Sequence, residues 1–455
     1  MKNFSKVKKV RRSDPDCETA DLEVDLTTGD ISIEVARPST TSRRALLGLG
    51  LGNTLEWYDW QIFGLLSAFI GPHFFPATDP VSATLSALAV FAVGFAMRPL
   101  GAAVFGTVAD RVGRRAVMLG SVGLMAVTAL VIAITPGYAS IGVWAGVILL
   151  VCRLLQGLST GIEAPLSTSY AVELSPAGRE GRAAGLISLY VNIGILLASL
   201  ASFFTSLIIG GGAMESWGWR VPFILAAILG LTALYMRRAL PETLHPETEE
   251  VAPSTGAVWR GVGRHWVALL AILFVVGAAQ AYNYAWNVGL PSLARSTFHE
   301  NPTAVFALTS VLGLLLVIGS PLVGALADRH KLSRTFIATR LLAVPAVFLM
   351  LAYTGPGLGL FGVVLLGGGL VLVLNMTLYN VVATSLLPKS IRATGVGVGY
   401  GVAVALFGGT ASYLLVWLQQ MHLSWVFPLY TAVMGLISVP LYLAARRRSG
   451  LHAGE

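Results

Sequence analysis

The 455 residues are 55% hydrophobic and only 12% charged, with 50 glycines and a mean hydropathy of +0.73. Against about 25% charged residues in an average soluble domain, this excludes an ordinary water-soluble globule and points to helices packed in a bilayer, where small residues let backbones approach. A net charge of +8 would suggest nucleic acid in a soluble protein; here the placement of the cations matters more than their total, and no nucleic-acid partner is expected.

Residues 1–44 read as a polar tail on the cytoplasmic side. Lys2, Lys6, Lys8, Lys9, Arg11 and Arg12 form a basic head, followed by a mostly acidic stretch from Asp14 to Glu34. There is no apolar core of a signal peptide in this segment, and the basic head is able to touch anionic lipid. Cys17 in the tail and Cys152 in an apolar stretch build neither a disulfide framework nor a metal-spaced cluster, so no metal site is expected.

Twelve apolar stretches follow, each near the ~20 residues a helix needs to cross the hydrocarbon. Spans 1–6 are read at 45–70, 82–108, 116–135, 141–170, 183–209 and 219–236. A cytoplasmic linker at 237–263 carries Pro241, Glu242, Pro246, Glu247, Glu249, Glu250 and Pro253. Spans 7–12 are read at 264–290, 303–327, 333–354, 356–384, 392–419 and 423–445, with Pro388-Lys389-Ser390 marking the junction of spans 10 and 11. The domain reading is therefore an N-terminal six-helix bundle at 45–236, a C-terminal one at 264–446 and a short tail at 447–455. The fold class is an all-α polytopic membrane protein of two pseudo-symmetric bundles.

Lysine and arginine set the expected orientation. Of the 31, 26 fall in the tail, in the loops 2–3, 4–5, 8–9 and 10–11, beside the central linker, or after span 12. The opposite loops offer only Arg295 and Arg220. Both termini are expected in the cytoplasm, which requires an even number of spans.

Six charges lie inside spans: Arg98, Arg153, Arg340, Glu56, Asp59 and Glu163. A charge at membrane depth costs about 2.5–3.5 kcal/mol on insertion scales, so each needs a partner or a wet cavity. Asn53, Glu56 and Asp59 share one face of span 1, and Arg153, Gln156, Thr160 and Glu163 share one face of span 4. Span 7 adds Gln280, Asn283, Tyr284 and Asn287; span 10 adds Asn375, Tyr379 and Asn380; span 5 adds Ser188 and Asn192. If each half is two three-helix units, spans 1, 4, 7 and 10 are equivalent, and their polar faces are what a central cavity requires. The competing reading is structural pairing, Arg98 with Asp59 or Arg153 with Glu163. Arg340, two turns inside span 9, is expected to snorkel to the cytoplasmic surface.

None of the seven histidines lies mid-span, so any proton must ride on a carboxylate. Burial favours the neutral form of such a group and can move its pKa by about 3–5 units. The candidates are Asp59 and Glu163, then Glu56.

The loop after span 2 reads Gly106-Thr107-Val108-Ala109-Asp110-Arg111-Val112-Gly113-Arg114-Arg115, and a partial copy after span 8 reads Gly324-Ala325-Leu326-Ala327-Asp328-Arg329. This repeat resembles the loops of the major facilitator superfamily. Gly52-Asn53-Thr54-Leu55-Glu56-Trp57-Tyr58-Asp59 narrows the resemblance to its metabolite:proton symporter family, the group of α-ketoglutarate, citrate, shikimate and proline/betaine permeases. Further matching stretches are Arg98-Pro99-Leu100-Gly101, Arg153-Leu154-Leu155-Gln156-Gly157, Glu173-Leu174-Ser175-Pro176, Trp217 to Phe223, Leu240-Pro241-Glu242-Thr243 and Phe407-Gly408-Gly409-Thr410. Two departures stand out: span 4 continues Gly161-Ile162-Glu163-Ala164-Pro165, and the second loop lacks the Gly-Arg-Arg ending.

The resemblance implies a secondary transporter, not an enzyme, taking up a small organic acid or zwitterion with protons by alternating access. It would need no cofactor beyond the proton gradient and would work as a monomer in the cell membrane. Arg98 and Arg153 become substrate or coupling partners, with Asn53, Tyr58, Gln156, Gln280, Asn283, Tyr284, Asn287, Asn375 and Tyr379 lining the cavity. Gly106, Asp110, Arg111, Gly113, Arg114, Arg115, Glu173, Asp328 and Arg329 become a cytoplasmic charge latch. Two alternatives stay open. A proton-antiporting exporter would carry a Gly-Pro-rich run in span 5, whereas residues 184–209 contain no proline. A non-transporting sensor would tolerate loss of the buried charges.

Overall fold

The computed structural model describes residues 23–24, 31–32, 40–76, 79–102, 104, 114–161, 180–237 and 255–448. Contacts divide the chain into Met1–Leu49 and Gly50–Glu455. In the first unit, Glu23–Val24 and Ile31–Ser32 form a two-rung antiparallel pair, Glu23 opposite Ser32. The second unit holds the helices from residue 50 onward, including all but the first five residues of the predicted N-terminal bundle.

Span 1 is the helix Thr40–Leu65, continued by Ser67–Phe74. Span 2 begins at Pro80 behind Asp79, whose carboxylate accepts the Ser82 N–H at 2.9 Å; a proline in the first turn has no N–H to leave unsatisfied. Spans 3–6 are Arg114–Ile134, Val143–Thr160, Glu180–Ile209 and Arg220–Arg237. Span 7 runs Trp266–Tyr284, widens into a π-helical turn at Ala285–Gly289, and resumes at Leu290–Ser296. Spans 8–10 are Pro302–His330, Leu332–Ala352 and Leu358–Ser385. Lys331, at φ +68°, is the whole link between spans 8 and 9. Span 11 is Lys389–Ala403, another π turn at Val404–Gly408, and Gly409–Gln420; span 12 is Val426–Arg448. Part of the predicted linker is itself helical, Thr255–Arg264.

By length and composition alone, nine helices among the described residues can cross a membrane, or ten if the pair bent by 58° at the start of span 6 counts as one. Span 1 is diluted by the same polar residues that mark it as functional, and the apolar part of span 3 is Leu119–Ile134.

Several seams join the halves. Span 5 lies along span 8: Asn192 Nδ2 donates to Ser320 Oγ at 2.8 Å, and Ser206 and Thr303 share a hydrogen bond of 2.8 Å. Span 1 meets span 7, where Gln61 Nε2 donates to the Asn287 carbonyl at 2.7 Å and the Ser67 and Ser292 hydroxyls lie 2.9 Å apart. Span 2 meets span 11 at Phe95 and Gly409. Within the first half, spans 2 and 4 cross at backbone contact. A Cβ on Gly157 would fall 2.0 Å from the Gly94 carbonyl oxygen, and one on Gly101 would fall 2.1 Å from that of Leu158. Only glycine fits there, and the crossing brings the two arginines of spans 2 and 4 up to span 1.

Candidate functional site: two buried ion pairs beside the seam between the halves

Glu56, Asp59, Arg98 and Arg153 are all turned inward, none more than 3% exposed. Arg98 Nη2 lies 3.3 Å from Glu56 Oε1, and Arg153 Nη1 lies 3.2 Å from Asp59 Oδ2. Arg98 thus meets Glu56 rather than Asp59, the partner proposed for it from the sequence, while the proposed Arg153–Glu163 pairing involves a residue outside the described ones. Three residues of helix turn a side chain by about 300°, so residues on one face still differ by about 60°. That offset sends Glu56 to span 2 and Asp59 to span 4. Glu163, Glu173, Gly106, Asp110, Arg111 and Gly113 lie outside the described residues, while Arg114 and Arg115 begin the helix of span 3.

The Asp59 pair is sealed within the first bundle. Gln156 Nε2 donates to Asp59 Oδ1 at 3.1 Å, completing a contact with both carboxylate oxygens. The Arg153 guanidinium lies 3.9 Å from the Phe63 ring centre. Asp59 also borders a cavity of about 20 Å³ between spans 1, 3 and 6, enough for one water molecule, which needs about 10–15 Å³.

The Glu56 pair faces the second half. Arg98 is sandwiched between the rings of Trp60 and Phe95, 4.5 Å from each centre. Phe95 packs edge-on against Tyr284 of span 7 at 5.0 Å, and Trp57 stacks on the same tyrosine at 6.1 Å. Behind Tyr284, a ladder of amides crosses the second half. Gln280 Nε2 donates to the Tyr379 hydroxyl at 2.7 Å and to that of Tyr400 at 3.2 Å. Asn283 Nδ2 donates to Gln280 Oε1 at 3.3 Å, and Asn287 Nδ2 to Asn283 Oδ1 at 2.8 Å. Among the described residues, four donor groups here are buried with no hydrogen-bond partner: Arg98 Nε, Arg98 Nη1, Trp60 Nε1 and the Tyr284 hydroxyl.

Asn53 is buried on the same helix face. Two expected lining residues are turned elsewhere. The Tyr58 hydroxyl donates to the Pro222 carbonyl in span 6 at 3.0 Å, and Asn375 Nδ2 donates to the Thr339 carbonyl in span 9 at 3.2 Å. Both sit inside a bundle rather than at the seam. Arg340 corrects a third expectation. It does not snorkel; it is 2% exposed and donates from Nη2 to the Val275 carbonyl at 2.9 Å. Trp60, Gln61 and Tyr400 join the site unannounced. Gln61 and Tyr400 are polar residues at mid-span, a signal available in the sequence, whereas Trp60, between Asp59 and Gln61, reads as one more aromatic of an aromatic-rich helix.

At the end of the molecule bearing the second Asp-Arg sequence, Asp328 accepts the Gly181 N–H at 2.7 Å and the Arg182 N–H at 3.2 Å, at the start of span 5. Arg182 Nε also lies 3.6 Å from it. Arg329 is exposed beside it. At the far end, Arg295 of span 7 reaches Glu215 of the first half at 3.0 Å and lies over the Phe69 ring. The halves are thus tied together at both ends.

A bundle of membrane-crossing helices with a charged, aromatic-lined centre between two halves defines a membrane carrier, and the comparisons agree. The sequence profile of the Major Facilitator Superfamily matches residues 49–412. The chain is 33% identical over 418 residues to the α-ketoglutarate permease of Escherichia coli K12, covering 90% of this chain and 95% of that one. It is 30% identical over 437 residues to the proline/betaine transporter of Salmonella typhimurium, covering 91% and 85%. A crystal structure of a D-xylose-proton symporter superposes with a TM-score of 0.67 at 19% identity, covering 89% of this chain and 97% of that one, and shares the fold. The chain belongs to the Major Facilitator Superfamily, among its metabolite permeases, and is a multi-pass secondary transporter of small molecules.

Proposed function

We propose that this protein imports a small carboxylate-bearing metabolite, an organic acid or zwitterion, together with protons by alternating access. One observation carries the reading: four buried donor groups around Arg98, two on the guanidinium, the Trp60 indole and the Tyr284 hydroxyl, make no hydrogen bond, and they outnumber the two oxygens of the Glu56 carboxylate that Arg98 Nη2 meets at 3.3 Å. A buried donor without a partner costs about 1–3 kcal/mol, so these groups favour a ligand rich in acceptors once the halves part to admit it. A planar guanidinium fork suits a carboxylate, and the flanking rings give it an apolar, water-excluding wall. The solutes named for both relatives, α-ketoglutarate and proline or betaine, carry a carboxylate.

In this scheme Arg98 anchors the substrate carboxylate, Glu56 yields its place on the guanidinium, and the amide ladder from Gln280 to Asn287 supplies the second half's contacts. Asp59 carries the proton. Protonation removes the charge that holds Arg153 in place, and the adjacent cavity gives a water molecule a seat from which to deliver it. Glu163 is a further coupling candidate from its place in span 4. Asp328, with Arg329 and the Asp110 loop, latches the cytoplasmic end; Arg295 and Glu215 latch the outer one. Both termini lie in the cytoplasm, following the lysine and arginine distribution, and the protein acts as a monomer.

Purified protein should be stabilised against heat by carboxylates such as α-ketoglutarate or proline and not by the corresponding amides. Arg98→Met should abolish the difference. Equal stabilisation by amides would reject the carboxylate assignment.

A further inference from the structure

The second half contains a buried cation that the transport scheme does not use. Arg98 and Arg153 each have a carboxylate within 3.3 Å. Arg340 has none among the described residues. Its side chain donates to the Val275 carbonyl and lies 5.2 Å from the Phe336 ring centre, while Nε is buried with no hydrogen-bond partner. The sequence explains why no acid answers it. Between residues 255 and 448 the only acidic side chains are Glu300 and Asp328. Glu300 accepts the Gly357 N–H, and Asp328 is held at the start of span 5. An unpaired ion buried in protein costs several kcal/mol, so the guanidinium calls for a countercharge from outside the chain.

Arg340 borders a cavity of about 20 Å³ between spans 7, 9, 10 and 12, shared with Ala278, Tyr282, Val347, Asn375 and Thr431. This volume holds one water-sized species, since a single water needs about 10–15 Å³; an organic acid is too large. The other wall donors are committed. Tyr282 donates to the Gly368 carbonyl, Asn375 to the Thr339 and Val371 carbonyls, and Thr431 to those of Phe427 and Pro428. An occupant would therefore be held by the charge of the Arg340 guanidinium against mostly apolar walls. Those conditions suit a monatomic, weakly hydrated anion better than a multiply charged oxyanion, which needs several donors.

We infer that the cavity at Arg340 is a binding site for a single halide ion, chloride under physiological conditions, that neutralises the second bundle from within. The test is thermal unfolding of the purified full chain in sodium chloride, sodium bromide and sodium gluconate at equal ionic strength. Chloride and bromide should raise the midpoint saturably, on the order of 1–3 °C, over gluconate. Arg340→Met should remove that difference. A midpoint indifferent to the anion, or a halide increment that survives in Arg340→Met, overturns the proposal. Should the variant fail to fold, crystals of the unaltered protein grown in bromide decide the matter. An anomalous peak in the cavity beside the Arg340 guanidinium supports the site; no peak there, as for a water molecule, sinks it.

Discussion

Asp59→Asn removes a charge while keeping the shape, and the surroundings set what that should cost. Arg153 is 0% exposed, its Nη1 lies 3.2 Å from Asp59 Oδ2, and Gln156 holds the other oxygen at 3.1 Å. The asparagine can keep one of these contacts, but the guanidinium loses its countercharge in a site closed to bulk solvent. Breaking one side of such a pair costs about 3–5 kcal/mol, whereas replacing both partners by uncharged groups is often near neutral. Asp59→Asn alone should therefore destabilise the protein by about 3 kcal/mol or more, and adding Arg153→Gln should restore most of it. Reconstituted in liposomes, both variants should fail to concentrate substrate against a proton gradient. A double-mutant cycle in thermal or chemical unfolding reads the first effect, and radiolabelled uptake the second. Full stability of the single variant, or no recovery in the double, would refute a closed Asp59–Arg153 pair. Concentrative uptake by either would refute proton carriage through Asp59.

Arg98→Lys should raise KM for the carboxylate about tenfold, the equivalent of about 1.4 kcal/mol, because an ammonium cannot present the planar fork between Trp60 and Phe95; an unchanged KM would show that only charge balance matters there. Gly157→Val should prevent folding, since its Cβ would overlap the Gly94 carbonyl at 2.0 Å; a monodisperse peak in size-exclusion chromatography would contradict this. Asp328→Ala strips two backbone donors and Arg182 of their acceptor, at about 1–3 kcal/mol. It should open that end, seen as longer spin-label distances between spans 5 and 8. Arg295→Ala, which frees Glu215, should open the opposite end instead; identical distance distributions would show that neither contact is a latch.

Much of the site was legible because charge is so costly at membrane depth. Glu56, Asp59, Arg98 and Arg153 announce themselves in otherwise apolar helices, and glycines such as Gly94, Gly101 and Gly157 mark where helices touch. What spacing could not resolve was the partner of each charge. A 60° offset between Glu56 and Asp59 decides which neighbour each meets, and that depends on how spans 2 and 4 cross. The same limit explains Tyr58 and Asn375, which point into their own bundles: a polar residue in a helix does not declare which of two interior directions it faces. Arg340 turned inward for that reason too. Its distance from the membrane edge permitted snorkelling, but its helix face looks at spans 7 and 12. Tyr400 went unread because the glycine-rich stretch around it signals close packing, which hides a polar side chain in the middle.

The central claim is that substrate and proton travel together through Asp59. Liposomes loaded with a pH-sensitive dye, with purified protein and a carboxylate substrate added outside, test it directly. The account predicts that substrate entry acidifies the lumen in the unaltered protein. With Asp59→Asn it predicts exchange of labelled for unlabelled substrate without acidification. Substrate accumulation with no proton movement in the unaltered protein, or acidification undiminished in Asp59→Asn, would contradict it.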